Sequence, residues 1–413
     1  MRIEIEINGG PNGAGRYVSY AQSPCRVRAT AGDYPREITL RSEALREGGG
    51  EVVFYAARDA APAEELPLTL PTGGEWAELW VAGKWQRPSV EDGDCEISAW
   101  ADDEKQEALP LMVRVRKNAN GLDPTERDRF LHAFARLNDR GLGKFADFRA
   151  MHVAASDPQS HRGPHFLPWH RSYLLDLERE LQAIDPSVSL HYWRWDEPAP
   201  FLFHEDFIGV SNEDKEVEFS PGHPLSTWIT DGELGIRRRP FFDPRTSAAW
   251  FPNGSQRLAP RTQAQTLALG DVYADFRGME GNPHGWAHVS FEGWISSIPT
   301  AAKDPLFFML HSNVDRLWAL WQWTHRHTDP NDADVYTGQD VDGRRLDDTL
   351  WPWNGVTGFP RPDFAPGGPM ADSPTVSAPG QTPTIADMID YQGRTSSPAQ
   401  LGYGYDTVPY EPE

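Results

Sequence analysis

Residues 161–170 read HRGPHFLPWH and residues 304–318 read DPLFFMLHSNVDRLW. Each stretch sets histidine among apolar and aromatic residues, where a polar ring is buried only if something satisfies it. Imidazole nitrogen suits copper, zinc and iron, and three imidazoles per ion leave a coordination position open for chemistry. The two stretches therefore read as two candidate metal-binding segments.

Around the second stretch, His284 and His288 sit four apart, so on a helix both rings project from one face and can grip one ion. HxxxH also arises by chance. His311 follows in an apolar helix, where a lone histidine is more often a satisfied core residue. The two signals together outweigh either alone. The upstream set is looser, with His152, His161 and His170 spaced by nine. Trp169-His170-Arg171 opens an amphipathic helix that aims His170 inward. His161 has to come from the preceding loop and His152 from the end of a helix containing Phe148 and Met151; spacing alone does not bring them together.

Up to about residue 115 the pattern has period two: Ile3, Ile5 and Ile7 alternate with polar residues, and Ile38 with Leu40, Leu66–Leu70 and Leu79–Val81 repeat it. Gly and Pro punctuate these runs. This is the pattern of short antiparallel strands in a sandwich or open barrel. Eight acids between Glu91 and Glu107, against Lys105, read as a solvated face. Trp76, Trp80, Trp85 and Trp100 could form a binding surface, but core aromatics of the sandwich are the simpler reading. Near residue 123 the period turns helical. Asp123-Pro124-Thr125-Glu126 offers an N-cap, a first-turn proline and a capping-box Glu. Further helices run from about His170 to Ala183, with Leu174, Leu177 and Leu181 inward, through His284 and His288, and through His311 to Trp321. Residues 359–383 read as an irregular loop. The expected fold is α+β and multidomain: an N-terminal antiparallel β-sandwich-like domain over 1–115, then a mainly α domain over 116–413.

The 413 residues carry 61 acids and 39 bases, a net charge of −22 that disfavours nucleic acid or an anionic membrane as partner. No stretch approaches the ~18 consecutive apolar residues of a membrane helix. Met1-Arg2-Ile3-Glu4-Ile5 lacks the apolar core of a secretory signal, so the reading expects a cytoplasmic chain, with export alongside a partner as the other route. Cys25 and Cys95 are the only cysteines. They exclude a disulfide-rich scaffold and a cysteine-based cluster near the histidines, and leave their own pairing open.

HRGPHFLPWHRSYLLDLERELQ (161–182), LHYWRWD (190–196) and DPLFFMLHSNVDRLWALW (304–321) closely resemble the two copper-binding signatures of the tyrosinase, catechol oxidase and polyphenol oxidase family. The resemblance runs from about Arg116 to Tyr405. It implies a bacterial-type member with an extra N-terminal β domain, and a type 3 dicopper centre in a four-helix bundle. Two copper ions per chain are implied, the first on His152, His161 and His170 and the second on His284, His288 and His311. His132, His165, His191, His204, His223, His325 and His327 match no ligand position. No cysteine stands near His152 or His161, so the Cys–His thioether of fungal and plant relatives cannot form.

The resemblance also implies roles for the neighbours. Glu280, four residues before His284, matches a carboxylate that steadies a water in plant-like relatives and could take a phenolic proton; a surface Glu at a helix start is the alternative. Asp315 and Arg316 are expected to tie the helices together and orient imidazoles. Gly285 stands where tyrosinases with strong monophenol activity often have Asn, and Leu310 where most relatives have a non-ligating His, implying a more apolar pocket wall. Phe307 and Phe308 pack on imidazoles, on a substrate ring, or simply in the core. Residues 289–298 are expected to line the entrance. Tyr403 and Tyr405 match a Tyr-x-Tyr motif that locks onto an Arg, here Arg116, and the chain ends eight residues later without the shielding domain of latent relatives.

The implied activity is oxidation of phenols and o-diphenols to o-quinones with O2, with small phenols as partners and Gly285 counting against monophenol hydroxylation. An o-aminophenol oxidase on the same centre is the alternative within the family. A reversible oxygen carrier is the alternative from another class, and a partner-binding β domain with the copper domain as its effector is a third. The sequence names no copper-delivery partner.

Overall fold

Alternation in the first strand sets the pattern for the N-terminal unit. In β1 (Ile3–Ile7) the three isoleucines face inward, while Glu4 and Glu6 face out and meet Arg28 and Arg26 of the antiparallel β3 (Ser23–Ala29), each pair at 2.6 Å. Apolar inside and cross-strand ion pairs outside is how a half-solvated sheet specifies its register. The strands β2 (Tyr17–Val18), β4 (Arg36–Ala44), β5 (Val52–Tyr55), β6 (Glu65–Leu70), β7 (Ala77–Gly83), β8 (Cys95–Ala101) and β9 (Glu104–Val113) complete two sheets, ordered β1-β3-β7-β5 and β2-β9-β8-β4-β6. Among the described strands of these two sheets, only β2 pairs in parallel, with β9. Ile3, Ile5, Val27 and Val81 of one sheet share a single core with Ile38, Leu40, Ile97 and Leu111 of the other.

The computed structural model describes residues 2–10, 13–30, 35–152, 157–338, 341–355, 369–395 and 400–410. They divide into two compact units, Met1–Arg116 with Ser373–Ala378 and Gln400–Glu413, and Lys117–Asp372 with Pro379–Ala399. The main segment of the first unit ends at Arg116, and two later segments return to it. The second return is held by Arg116: its side chain donates to the Tyr405 hydroxyl at 2.8 Å and lies 3.7 Å from the Tyr403 ring, and its backbone N–H donates to Gly404 O at 2.8 Å. Of the expected loop 359–383, residues 359–368 lie outside the described residues, and the rest forms neither helix nor strand.

Two expectations for the first unit change, and the pairing left open for the cysteines is answered. Cys25 and Cys95 are free, buried thiols, and burial pushes Cys25 up to about 12. Trp76, Trp80 and Trp100 are not core residues. They lie half-buried under guanidiniums, with Arg26 and Arg28 each 4.3 Å from the Trp76 ring; only Trp85 packs against the core. The outer position of each strand puts these rings where a flat cation covers them better than water does. The acidic run is not uniformly solvated either. Asp94 is buried and accepts from the backbone N–H groups of Gly50, Val90 and Glu91, and buried Glu96 pairs with Lys105.

In the second unit, α1 (Pro124–Leu137) starts as the sequence proposes, with the Asp123 carboxylate accepting from Thr125 N–H at 2.8 Å. Glu126 does not close a capping box; it turns to Lys117 Nζ at 2.6 Å, and burial pushes its carboxyl up despite that cation. Short α2 (Phe145–Met151) ends at His152. The next helix, α3 (Phe166–Ile184), begins a turn before the expected His170, and its residues 166–179 are all buried, so it is a central rather than an amphipathic helix. It packs against α1 and against α4 (Leu306–His325), which is buried from Leu306 to Gln322. Among the described residues, no helix is long and apolar enough to cross a membrane.

Candidate metal centre

His284 and His288 sit on an interrupted helical segment rather than on one long helix. Pro283 lacks an N–H and disfavours the α region for its predecessor, and Asn282 accordingly has an extended backbone, φ −145° and ψ 117°. A tight 3-10 turn at Arg277–Glu280 and a wider π turn at Gly281–Gly285 lead into the short helix Trp286–Val289. The four-residue spacing survives the break, and both rings reach His311 in α4. On the other side, α2 ends at His152, His161 lies in the link before α3, and His170 opens the second turn of α3.

The structure brings all six together as two groups. The ligand nitrogens of His152, His161 and His170 lie within 4.8 Å of one another, as do those of His284, His288 and His311. The groups face each other. The His170 and His311 rings stack at 4.3 Å, and the His161 and His284 ring centroids are 6.5 Å apart. Among the described residues these are the two groups of three His, Cys, Asp or Glu able to hold an ion. His165 is fully buried between two proposed ligands yet belongs to neither group.

On four of the six rings, hydrogen bonding on the far side aims the near side at the centre. The Nδ1 atoms of His170, His284 and His288 lie 2.9, 2.7 and 2.7 Å from the carbonyl oxygens of Phe166, Glu280 and Ile295, and that of His152 lies 3.2 Å from Ile298 O. A carbonyl only accepts, so these Nδ1 atoms carry the proton and each Nε2 presents a lone pair inward. The Nε2 atoms of His152 and His170 are buried with no hydrogen-bond partner. In the second group, His284 Nε2 and His288 Nε2 lie 3.2 and 3.1 Å from His311 Nε2. One proton on His311 can serve only one of these two lone pairs, which leaves the other facing a nitrogen. Buried acceptors without donors are costly. A cation at each focus removes that cost, so the donor set fits a metal with nitrogen preference.

Burial, reinforced for every ring but His288 by neighbouring imidazoles, keeps the rings neutral, as a ligand must be. It lowers His152 to about 3 and His288 to about 4, and drives His161, His170, His284 and His311 further down. Phe166 and Phe307 each touch rings of both groups, Phe166 at 4.6 Å from His170 and 4.8 Å from His284, and Phe307 at 4.2 Å from His311 and 4.6 Å from His152. Phe308 instead packs on Phe145 and Tyr173 and is core.

Asp315 does tie helices together, through a buried 2.6 Å pair with Arg171 of α3. Backbone carbonyls hold the Nδ1 atoms of His152, His170, His284 and His288, and the Ser160 hydroxyl lies 2.8 Å from that of His161. Arg316 reaches Asn313 and Gln263 at 2.8 Å and lies over the Tyr192 ring. Glu280 makes two contacts here: its backbone oxygen holds His284, and its half-buried carboxylate accepts from the backbone N–H of Arg162, the residue after His161.

A cavity of about 550 Å³ opens onto this cluster. Its wall includes the rings of His152, His161, His284 and His288, with Glu280 and Gly285 beside them, while Val289, Ile295 and Ile298 provide apolar surface. The 289–298 segment thus lines the entrance as expected. Leu310 does not: it is fully buried and forms no part of the wall. His170 and His311 lie behind the wall, with 1% and 0% exposure. The sequence reading missed the carbonyl holders, and it missed Arg162 and Arg277 in the wall. The i−4 carbonyls of Phe166 and Glu280 could have been found from helical spacing; those of Ile295 and Ile298 could not.

The common central domain of tyrosinase matches residues 142–324, a span holding all six histidines. The tyrosinase of Streptomyces glaucescens is 30% identical over 266 residues, 59% of this chain and 93% of that protein. Grixazone synthase of Streptomyces griseus is 30% identical over 301 residues, 60% of this chain and 95% of that one. Hemocyanin units G and H of Sepia officinalis are 28% identical over 243 residues, 55% of this chain but 40% of that one. Similarity at this level across nearly the full length of the two bacterial proteins, on a span that carries both histidine groups, means that the chain belongs to the tyrosinase family.

Proposed function

We propose that the chain is a polyphenol oxidase that binds one copper ion in each histidine group, inside a bundle built on the helices that carry them, and oxidises o-diphenols to o-quinones with O2. The observation that carries this reading is the pair of facing, neutral imidazole triads at the wall of a cavity with a carboxylate beside it. When bound, the copper pair supplies the redox chemistry, in which two diphenols each lose two electrons and two protons and one O2 becomes two waters. The carbonyl-anchored rings fix the donor geometry before any metal arrives. The apolar side of the cavity, Val289, Ile295 and Ile298, takes the ring face and keeps water from it. Glu280, fixed by the Arg162 N–H, is the group positioned to accept a phenolic proton, directly or through one water.

The cavity favours an oxidase over an oxygen carrier, since O2 alone needs no space of ligand-pocket size, roughly 300–1,000 Å³. Oxygen uptake by copper-loaded protein, measured with a catechol, an o-aminophenol and tyrosine, tests the reading. Catechol turnover is expected. Reversible O2 binding with no turnover of any ring would instead assign a carrier, and o-aminophenol turnover alone would assign the neighbouring activity.

Gly285 sets a second expectation. A Cβ built there meets only Glu280 O, at 3.4 Å, an ordinary contact. Gly285→Asn therefore fits without strain and puts an amide beside Glu280. The ratio of monophenol to diphenol turnover is expected to rise on the order of tenfold, modest beside the 10²–10⁴ that a positioned base contributes. An unchanged ratio in a copper-loaded variant would separate monophenol activity from this position.

A further inference from the structure

We infer that the substrate of this site is a phenolic ring bearing an anionic group, a carboxylate in the first instance, and that Arg277 is the residue that selects it. The inference rests on the oxidase reading above and names its substrate class. The chain as a whole carries 61 acids and 39 bases, yet the cavity wall carries two guanidiniums, Arg162 and Arg277, and one carboxylate, Glu280. The balance of charge in the wall is opposite to that of the protein.

The wall is also divided. Val289, Ile295, Ile298, Ala274 and Ala301 are apolar and suit a ring, the four imidazoles mark where its oxygens go, and the arginines stand in the same wall beside Glu280. Glu280 is committed to the Arg162 backbone N–H. Arg277 is half-buried on the turn that leads to Glu280, and among the described residues its guanidinium has no hydrogen-bond or ion-pair partner. A planar cation held in a partly desolvated wall without an acid of its own is matched by a carboxylate, which it can engage through two parallel hydrogen bonds. Arg162 adds a second positive charge to the same wall. A cationic ring such as an aminoethyl catechol meets repulsion there, and a neutral ring gains nothing from either arginine.

The test compares 3,4-dihydroxyphenylpropionate, 4-methylcatechol and dopamine as anionic, neutral and cationic catechols on the copper-loaded enzyme. The expected order of kcat/KM is anionic, neutral, cationic, with the anionic preference shrinking as salt rises. Arg277→Gln is expected to lower kcat/KM for the anionic substrate about tenfold to a hundredfold, mainly through KM, and to leave 4-methylcatechol within about twofold. Arg277→Lys should restore part of the loss. Equal losses on all three catechols, or a wild-type preference for dopamine, would overturn the inference. If none of the three is oxidised with copper bound, the oxidase reading fails, and the arginine is judged by calorimetric titration with benzoate. Benzoate binding that Arg277→Gln abolishes supports an anion-selective wall, and binding that it leaves unchanged overturns it.

Discussion

His311→Ala is expected to abolish oxidation and to cut bound copper from two ions per chain to one or none. Three roles meet in this ring. Its Nε2 lies 3.2 and 3.1 Å from the inward nitrogens of His284 and His288, so its loss leaves two donors where three converge. Its face stacks on His170 at 4.3 Å and meets the tilted Phe307 ring at 4.2 Å, so the other group loses a support as well. Changes outside the ligand set typically cost 10–100-fold in metal affinity, and removal of a ligand exceeds that range. Copper per chain by elemental analysis and O2 uptake on a catechol give the result, with circular dichroism to confirm folding. His132→Ala is the control: that ring is exposed, sits on the Asp128 carbonyl and should leave both readings unchanged. Retention of two coppers with undiminished turnover in the His311 variant would sink the ligand assignment.

How much of this could be read beforehand depended on sequence distance. The Ile3, Ile5, Ile7 alternation and the His284–His288 spacing are local periodicities, and both carry through to three dimensions. The helix through that histidine pair was misread because one Pro283 outweighs the periodicity around it. The tryptophans of the first unit were misread because their covering cations come from distant positions in the chain, Arg26 and Arg28 from β3 over Trp76. Convergence of His152 with His161 and His170 could not be argued from spacing, because a loop and a helix end supply two of the three. The resemblance supplied that step, and the Arg116–Tyr405 contact across 289 residues as well. Arg277 escaped notice because a lone arginine ahead of a turn reads as a solvated side chain. The carbonyl anchors of Ile295 and Ile298 carry no side-chain signature at all.

Arg171→Met is expected to destabilise the catalytic unit by about 3–5 kcal/mol, the cost of stripping one partner from a buried ion pair. Arg171 and Asp315 are 0% and 2% exposed and 2.6 Å apart, and they lie 144 residues apart in the chain. The same guanidinium also donates to Gln322 Oε1 at 3.1 Å and to Met388 O at 2.7 Å, and lies 3.7 Å from the Trp318 ring. Methionine fills part of the space but leaves a buried carboxylate and two acceptors without donors. The effect reaches the metal centre through the backbone, since Arg171 follows His170 directly and Asp315 lies one helical turn beyond His311. Each partner thus positions a ligand of a different group, and copper affinity should fall together with stability. Asp315→Asn, which keeps an acceptor of the same shape, should lose less than Arg171→Met. Arg237→Ala, which removes an exposed pair with Glu216, should stay within about 1 kcal/mol of wild type. Urea denaturation of the copper-loaded proteins gives the order. An Arg171→Met variant no less stable than Arg237→Ala would mean that packing between α3 and α4, rather than this ion pair, holds the two histidine groups face to face.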